Sequence, residues 1–282
     1  MVAAVDSKLF MFVESMPAFP KSVQSILRLA DDSQSSAKDF VQIIECDPVM
    51  TVKILKVVNS PYYGLPQKIS SITRAVVHLG INTVKNMALA IAAIGVLKPD
   101  KKTCLNANSF LMHSLTTALI AKLLAERQGL SPNECSDYFV TGLLHDFGKL
   151  VFAQCLPESF SKALMESRKR SVSLHLLERQ YLGIDHARLG KLLIDKWCFS
   201  EAIGTAIEHH HDEDGVNVLR DSVAAANQIS KMLRFGDGGN PVIDMFSEAQ
   251  FTLFGLSLEE LIVSLGDLSS IRTEGLMMIS CK

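Results

Sequence analysis

A chain of 282 residues can form one large domain or two modest ones, with a core big enough to need neither disulfide nor metal for stability. Hydrophobic residues make up 48% and charged residues 21%, which excludes a disordered chain. With 28 basic against 30 acidic side chains the net charge is -2, which argues against a protein that coats nucleic acid and leaves only a local patch for such a role.

The six cysteines (Cys46, Cys104, Cys135, Cys155, Cys198, Cys281) are scattered without a C-x-x-C pair. They read as reduced, mostly buried thiols rather than a disulfide framework. The first residues lack the basic start and cleavage pattern of a signal peptide. The longest apolar run, Met87 to Leu97, is too short to cross a bilayer. The expectation is a cytoplasmic protein with no membrane partner.

Helical periodicity dominates and alternating strands are scarce, so the expected class is all-α. Pro20 suits the first position of a helix with Val23, Ile26, Leu27 and Ala30 on one face. Ser36 and Asp39 are spaced as a capping box ahead of the apolar Phe40, Ile43 and Ile44. Asp47-Pro48 marks the next start, with Val52, Leu55 and Val58 continuing to a break at Asn59-Ser60-Pro61. Ser71 opens a short helix ending at Gly80, and Asn82 is placed to cap a longer one reaching about Leu97.

Charge and proline in Lys98-Pro99-Asp100-Lys101-Lys102 mark a boundary, giving an N-terminal helical lobe over 1–98. A second helical region is expected over 99–236, with helices near 109–128, 136–153, 159–170, 173–182, 186–197, 201–211 and 218–234. Phe235-Gly236-Asp237-Gly238-Gly239-Asn240-Pro241 reads as a loop. A C-terminal helical hairpin over 237–282 follows, with Ser257 and Glu260 as a capping box.

Seven of the eight histidines lie between His113 and His211. The strongest local unit is Gly142-Leu143-Leu144-His145-Asp146-Phe147-Gly148-Lys149-Leu150, where an adjacent histidine and aspartate interrupt an apolar helix. Such a pair offers one nitrogen and one oxygen ligand to a divalent ion, and polar groups on an apolar helix need a partner. It serves equally to cap or bridge neighbouring helices. His113 lies in a second apolar helix, Asp185-His186 opens another, and His209-His210-His211-Asp212 closes a third, where imidazoles also meet the helix dipole. His78 and His175 read as structural, Lys149 as a surface lysine closing its helix, and Lys162 with Arg168-Lys169-Arg170 as a solvated face.

Taken together these segments resemble the HDOD proteins, the HD-related output domain branch of the HD superfamily of metal-dependent phosphohydrolases. The likeness covers roughly residues 10 to 270. It is carried by Met16-Pro17-Ala18-Phe19-Pro20, by Asp47-Pro48-Val49-Met50-Thr51 through Asn59-Ser60, and by Ile72 to Gly80. In the second half it rests on His113-Ser114, the block around His145-Asp146, Gly183-Ile184-Asp185-His186 before Trp197, and Ala206 to His211, with His210 and His211 the matching pair.

The resemblance implies an HD-like helical bundle with an added N-terminal lobe. It also implies a metal set in which His113, His145 and Asp146 match the first three ligands. In related two-metal phosphodiesterases further histidines hold a second ion, a part that falls to His186, His210 and His211. The distant aspartate of the superfamily falls at Asn227, a poor ligand for a hard cation, with Asp221 on another side of that helix. Residues after His186 read Ala187-Arg188-Leu189-Gly190 in place of a G-Y-P segment. Asp146 and Lys149 are the catalytic candidates.

The resulting expectation is a bacterial signal-transduction module. It would bind a signalling partner or small ligand around a degenerate site holding Fe, Mn, Zn or Ni, with little or no hydrolysis. The alternative is a metal-dependent phosphohydrolase acting on a nucleotide or phosphodiester, with a carboxylate such as Asp185 or Asp212, or a water, taking over at Asn227. A nucleic-acid regulator finds no support in the charge.

Overall fold

The computed structural model describes residues 11, 13–14, 21–31, 36–96, 105–212, 217–240 and 242–280, and among them there are helices, turns and loops but no strands. The Met16–Pro20 motif, the Lys98–Lys102 boundary, Cys104 and Cys281 lie outside the described residues. Contacts divide the chain into two units, Pro17–Leu97 with Ser269–Lys282, and Lys98–Leu268 with the residues before Pro17. No helix among the described residues is long and apolar enough to cross a membrane.

The first unit contains α1 (Lys21–Asp31), α2 (Ala37–Glu45), α3 (Pro48–Val58), a 3-10 turn at Pro61–Tyr63, α4 (Ile72–Leu79) and α5 (Ile81–Val96). Local chemistry sets the starts. Ser36 and Asp39 form the expected capping box, Asp47 accepts the Met50 N–H with Pro48 at the first helical position, and Ser71 accepts the Arg74 N–H. Asn59 ends α3 and ties it down, its amide bonding the carbonyls of Leu55 and Ile69 while its oxygen takes the Ile69 N–H.

Two details differ from the sequence reading. The long helix begins at Ile81, so Asn82 lies inside its first turn instead of capping it. The buried face of α3 is Met50, Ile54, Val57 and Val58, while Val52 is exposed. Apolar side chains cover most of that helix's circumference, so periodicity alone does not single out the face. In α1, Val23 and Ile26 are buried as expected, whereas the side chains of Leu27 and Ala30 lie outside the described ones.

The second unit is built on α6 (Ala107–Arg127), whose residues 110 to 121 are all buried. A helix apolar on every side belongs in the middle of a bundle, and α6 packs against both α7 (Pro132–Leu144) and α13 (Val218–Met232). Gly142 permits the close crossing, because a Cβ there would lie 2.8 Å from the Ala118 Cα. Around this centre run α8 (Gly148–Cys155), α9 (Pro157–Arg170), α10 (Leu174–Leu182), α11 (His186–Lys196) and α12 (Glu201–Glu208). Beyond residue 237, where the sequence suggests a hairpin, three short helices follow: α14 (Glu248–Phe254), α15 (Leu258–Leu265) and α16 (Ser269–Ile279). Ser257 and Glu260 form their capping box, and α16 packs in the first unit, on α5.

The helix expected over 136–153 is two helices. Between them the hydrogen bonds tighten to three-residue steps, from the Phe147 N–H to the Leu144 carbonyl (3.0 Å) and from the Lys149 N–H to the Asp146 carbonyl (2.9 Å). That break turns His145 and Asp146 to the interior. Cys46, Cys135, Cys155 and Cys198 form no disulfide, and of these only Cys135 is buried, so the mostly buried set expected from sequence is not found among the described cysteines.

The α8–α11 contact depends on a missing side chain. A Cβ on Gly148 would lie 2.0 Å from the His186 carbonyl oxygen, on rigid backbone. Gly148→Ala is therefore expected to cost more than ~3 kcal/mol. Gly190→Ala meets only a side-chain methyl at 3.1 Å and should cost less. Denaturant midpoints of the two variants check this order.

Candidate metal centre

Six side chains from four places in the second unit converge. His113 comes from α6, His145 and Asp146 from the α7–α8 break, His186 from the first position of α11, and His210 and His211 from the turn after α12. Each position has a local cause. Asp185 caps α11 by accepting the Arg188 N–H (2.9 Å), which places His186 on the first, inward-facing turn. At the end of α12, His209 turns outward to Asp212 (2.7 Å), while His210 is buried and His211 half-buried.

Asp146 is the hub. Its Oδ2 lies 3.6 Å from His113 Nε2 and 3.4 Å from His145 Nε2, and its Oδ1 lies 3.1 Å from His186 Nε2 and 3.9 Å from His210 Nε2. His186 and His211 approach to 2.9 Å through their Nε2 atoms. The donors fall into two groups fit for a metal ion, His113–His145–Asp146 and His186–His210–His211, with ligand atoms within 4.8 Å of one another in each. The single carboxylate lies between them.

The polar accounting shows that this cluster fits a cation. His113 Nε2, His145 Nε2, His210 Nε2 and Asp146 Oδ1 are all buried with no well-aligned hydrogen bond. Each such orphan costs about 1–3 kcal/mol unless something satisfies it. The tautomers agree: His145 Nδ1 donates to the Gly142 carbonyl (2.8 Å) and His210 Nδ1 to the Ile207 carbonyl (2.6 Å), which leaves both Nε2 atoms as lone-pair donors. A divalent ion accepts such lone pairs. With five imidazoles and one carboxylate, the set suits a nitrogen-preferring transition metal better than Mg or Ca.

Three supporting residues escaped the sequence reading. Glu178 on α10 is fully buried, and one of its oxygens accepts both the backbone N–H of His186 (2.9 Å) and its Nδ1–H (2.5 Å). It falls between Leu174 and Leu182 at helical spacing on a buried stripe, and a carboxylate in that register is the signal that marks it. Ser230 on α13 lies 3.3 Å from His113 Nδ1 and 2.8 Å from Thr116 Oγ1. Gly238, in the loop before α14, approaches so closely that a Cβ would stand 2.6 Å from the His113 ring and 2.9 Å from Asp146 Oδ2.

Lys149 requires a correction. Rather than closing its helix at the surface, it is 2% exposed, and its ammonium donates to Asp146 Oδ2 (2.6 Å) and the Gly238 carbonyl (2.9 Å). The buried carboxylate attracts it, because an unpaired charge there would be far more costly. Asp185 and Asp212 do not replace the missing aspartate: Asp185 is bound to Arg179 and its cap, and Asp212 to His209. Asn227 is buried on α13, one helical turn before Ser230, and its Oδ1 has no hydrogen bond. His175 stacks on His211 with ring centroids 4.2 Å apart, and His78 is exposed.

The HDOD domain model matches residues 16–213. The chain belongs to the HDOD family. A curated relative, an uncharacterized protein of Treponema pallidum (strain Nichols), is 26% identical over 236 residues. That match covers 81% of this chain and 44% of the relative, so the chain spans under half of its length. An HDOD domain protein of unknown function from Geobacter sulfurreducens superposes with a TM-score of 0.77 at 25% identity, covering 99% of both chains. A Marinobacter aquaeolei VT8 protein, described as a candidate signal transduction protein, gives 0.77 at 21% identity over 98% of this HDOD chain and 66% of its own.

Burial holds His113 and His210 well below the ordinary imidazole value and pushes His145 down to about 4. Burial alone would lower His186 too, but the carboxylates of Glu178 and Asp146 outweigh it and raise that histidine. Burial would likewise raise Asp146, yet His145, Lys149 and His186 hold it well below the usual carboxylate range.

For His113, His145 and His210, and for His175 and His211, which burial also lowers, the unfolded chain takes up protons near pH 6.5 that the folded chain refuses. Stability is then lost as pH falls from 6.5 toward 4, by about 2 kcal/mol between pH 7 and pH 5 for His145 alone, with His186 opposing. Urea midpoints of chelator-treated protein at the two pH values measure it. Separately, Glu178→Gln keeps the shape but not the charge that orients His186, and should weaken metal binding about 10- to 100-fold by competition titration.

Proposed function

We propose that this HDOD chain is a signal-transduction module whose second unit binds a divalent ion, of Fe, Mn, Zn or Ni, together with a small ligand, and communicates occupancy to a signalling protein with little or no hydrolysis. The observation that carries it is the composition of the centre. Five imidazoles and Asp146 meet there, while the carboxylate that resemblance places at position 227 is an amide, and Asp185 and Asp212 are committed elsewhere. A bound ion would act as a Lewis acid and acidify its water. The chain contributes the positioning: Glu178 and the Gly142 and Ile207 carbonyls fix three rings, Lys149 keeps Asp146 ionised, and the Gly238 loop lies over His113. Membership in the family and the signalling description of the Marinobacter relative support the regulatory part.

One observation favours a second reading, a metal-dependent phosphohydrolase. The buried ammonium of Lys149 stands beside the centre, where it can meet a phosphoryl oxygen as well as Asp146. A screen of the Mn- or Fe-loaded full chain with 4-nitrophenyl phosphate, bis(4-nitrophenyl) phosphate, nucleotides and cyclic dinucleotides separates the two. The regulatory reading predicts no turnover sensitive to Asp146→Ala, and tighter metal binding in Asn227→Asp. Turnover abolished by Asp146→Ala establishes the second.

A further inference from the structure

The centre is closed off from solvent except at one corner. His113, His145, Asp146 and His186 are at most 1% exposed and His210 is 4% exposed, while His211 is half-buried. An ion that binds there has to cross the protein, and a hydrated charge crosses apolar packing only at high cost. A cavity of about 290 Å³ opens onto His210 and His211. Met245, 92% exposed, stands at its rim, so the cavity meets water at one end and the centre at the other. Its walls all belong to the second unit. A divalent ion with six waters, each taking about 30 Å³ of liquid volume, needs roughly 180 Å³. The cavity is large enough for that.

The walls carry the matching charge. Asp212, Asp221 and Asp244 line the cavity, and neither lysine nor arginine does. Asp221 is committed to the fold, buried and held by Arg220 (2.7 Å) and the Asn217 N–H (3.0 Å). The other two can be reached from water: Asp212 is exposed, and the side chain of Asp244 is 36% exposed. Ser173 Oγ (2.8 Å) and Gln228 Nε2 (2.9 Å) hold the Asp244 carboxylate in place and leave it lone pairs to spare. Lys231 lies 4.0 Å from that carboxylate and is itself bonded to the Val242 carbonyl (3.0 Å), so it offsets part of the charge without lining the cavity. A cleft whose accessible charges are carboxylates concentrates cations.

The inner end offers lone pairs. His210 Nε2 is buried without a well-aligned hydrogen bond, and so is Nδ1 of His175, which lines the cavity and stacks on His211. Asp212 and Asp244 thus stand toward solvent, where they attract a hydrated ion through its waters. The imidazoles stand toward the centre, where they can replace those waters.

We infer that this cavity is the route by which a metal ion reaches the centre, with Asp212 and Asp244 drawing the hydrated cation in and His211 the first ligand to receive it. The inference rests on the metal-binding reading above and adds to it how the site is loaded and emptied.

The test follows Zn(II) uptake by the chelator-stripped full chain in stopped flow with a chromophoric zinc indicator, and measures stoichiometry and affinity at equilibrium on the same samples. Asp244→Asn is expected to slow uptake about three- to tenfold, the size of one carboxylate acting on a divalent ion several ångströms away in a wet cleft. Release should slow in step, which leaves affinity nearly unchanged. Uptake by the native chain should also slow as salt rises from about 20 to about 200 mM, and less so in Asp244→Asn. That salt dependence needs no variant to fold. Ala224→Leu, which narrows the cavity from α13 without changing charge, should slow uptake and keep the native salt dependence. Arg168→Ala releases the loop that lies over His113 from its Asp237 pair (2.9 Å), and should leave uptake unchanged. Rates indifferent to salt and to both cavity variants overturn the route and leave the metal reading standing, as does entry that only Arg168→Ala accelerates. A chain that binds no metal at equilibrium overturns both.

Discussion

A carboxylate buried to 1% exposure, with four imidazole nitrogens and an ammonium around it, constrains everything else in the second unit. Removing Asp146 from water is costly, and the fold offsets that cost with charge and with lone-pair donors that themselves need a partner. The break between α7 and α8 exists where His145 and Asp146 must turn inward. Gly148 follows because α11 has to pass close enough to deliver His186, and Gly238 lacks a side chain because a Cβ there would strike the His113 ring and the Asp146 carboxylate. Outside this ring Glu178 and Ser230 hold the imidazoles from behind.

Much of this was legible in the sequence. Short-range chemistry marked helix starts at Ser36, Asp47, Ser71 and Ser257, because a cap depends on residues three apart and on nothing distant. His145-Asp146 stood out as polar groups within an apolar run, and the glycine-rich stretch from Phe235 was plain as a loop. That this loop would lie against His113 and Asp146 was not, since it depends on where residues far apart in the chain meet. The fate of Lys149 was hidden for a similar reason: a lysine one turn past Asp146 reads as a surface residue until the Gly238 carbonyl is known to lie over it. On α3, nearly continuous apolarity concealed the buried face.

The composition of the centre bears on what the HDOD fold does here. Five imidazoles and a single carboxylate form a donor set that suits a nitrogen-preferring transition metal better than Mg or Ca. Asn227, buried on α13 with its Oδ1 unbonded, is an amide where the family resemblance implies an aspartate.

The central claim is that the buried, unpartnered atoms around Asp146 are a metal centre. Elemental analysis of untagged protein purified without chelator tests it most directly, alongside His145→Ala prepared identically. The account predicts one or two equivalents of Fe, Mn, Zn or Ni, lost or sharply reduced in the variant, with chelation lowering the melting temperature of the native chain. Native protein free of metal, with stability indifferent to both chelator and added Mn(II), would contradict it.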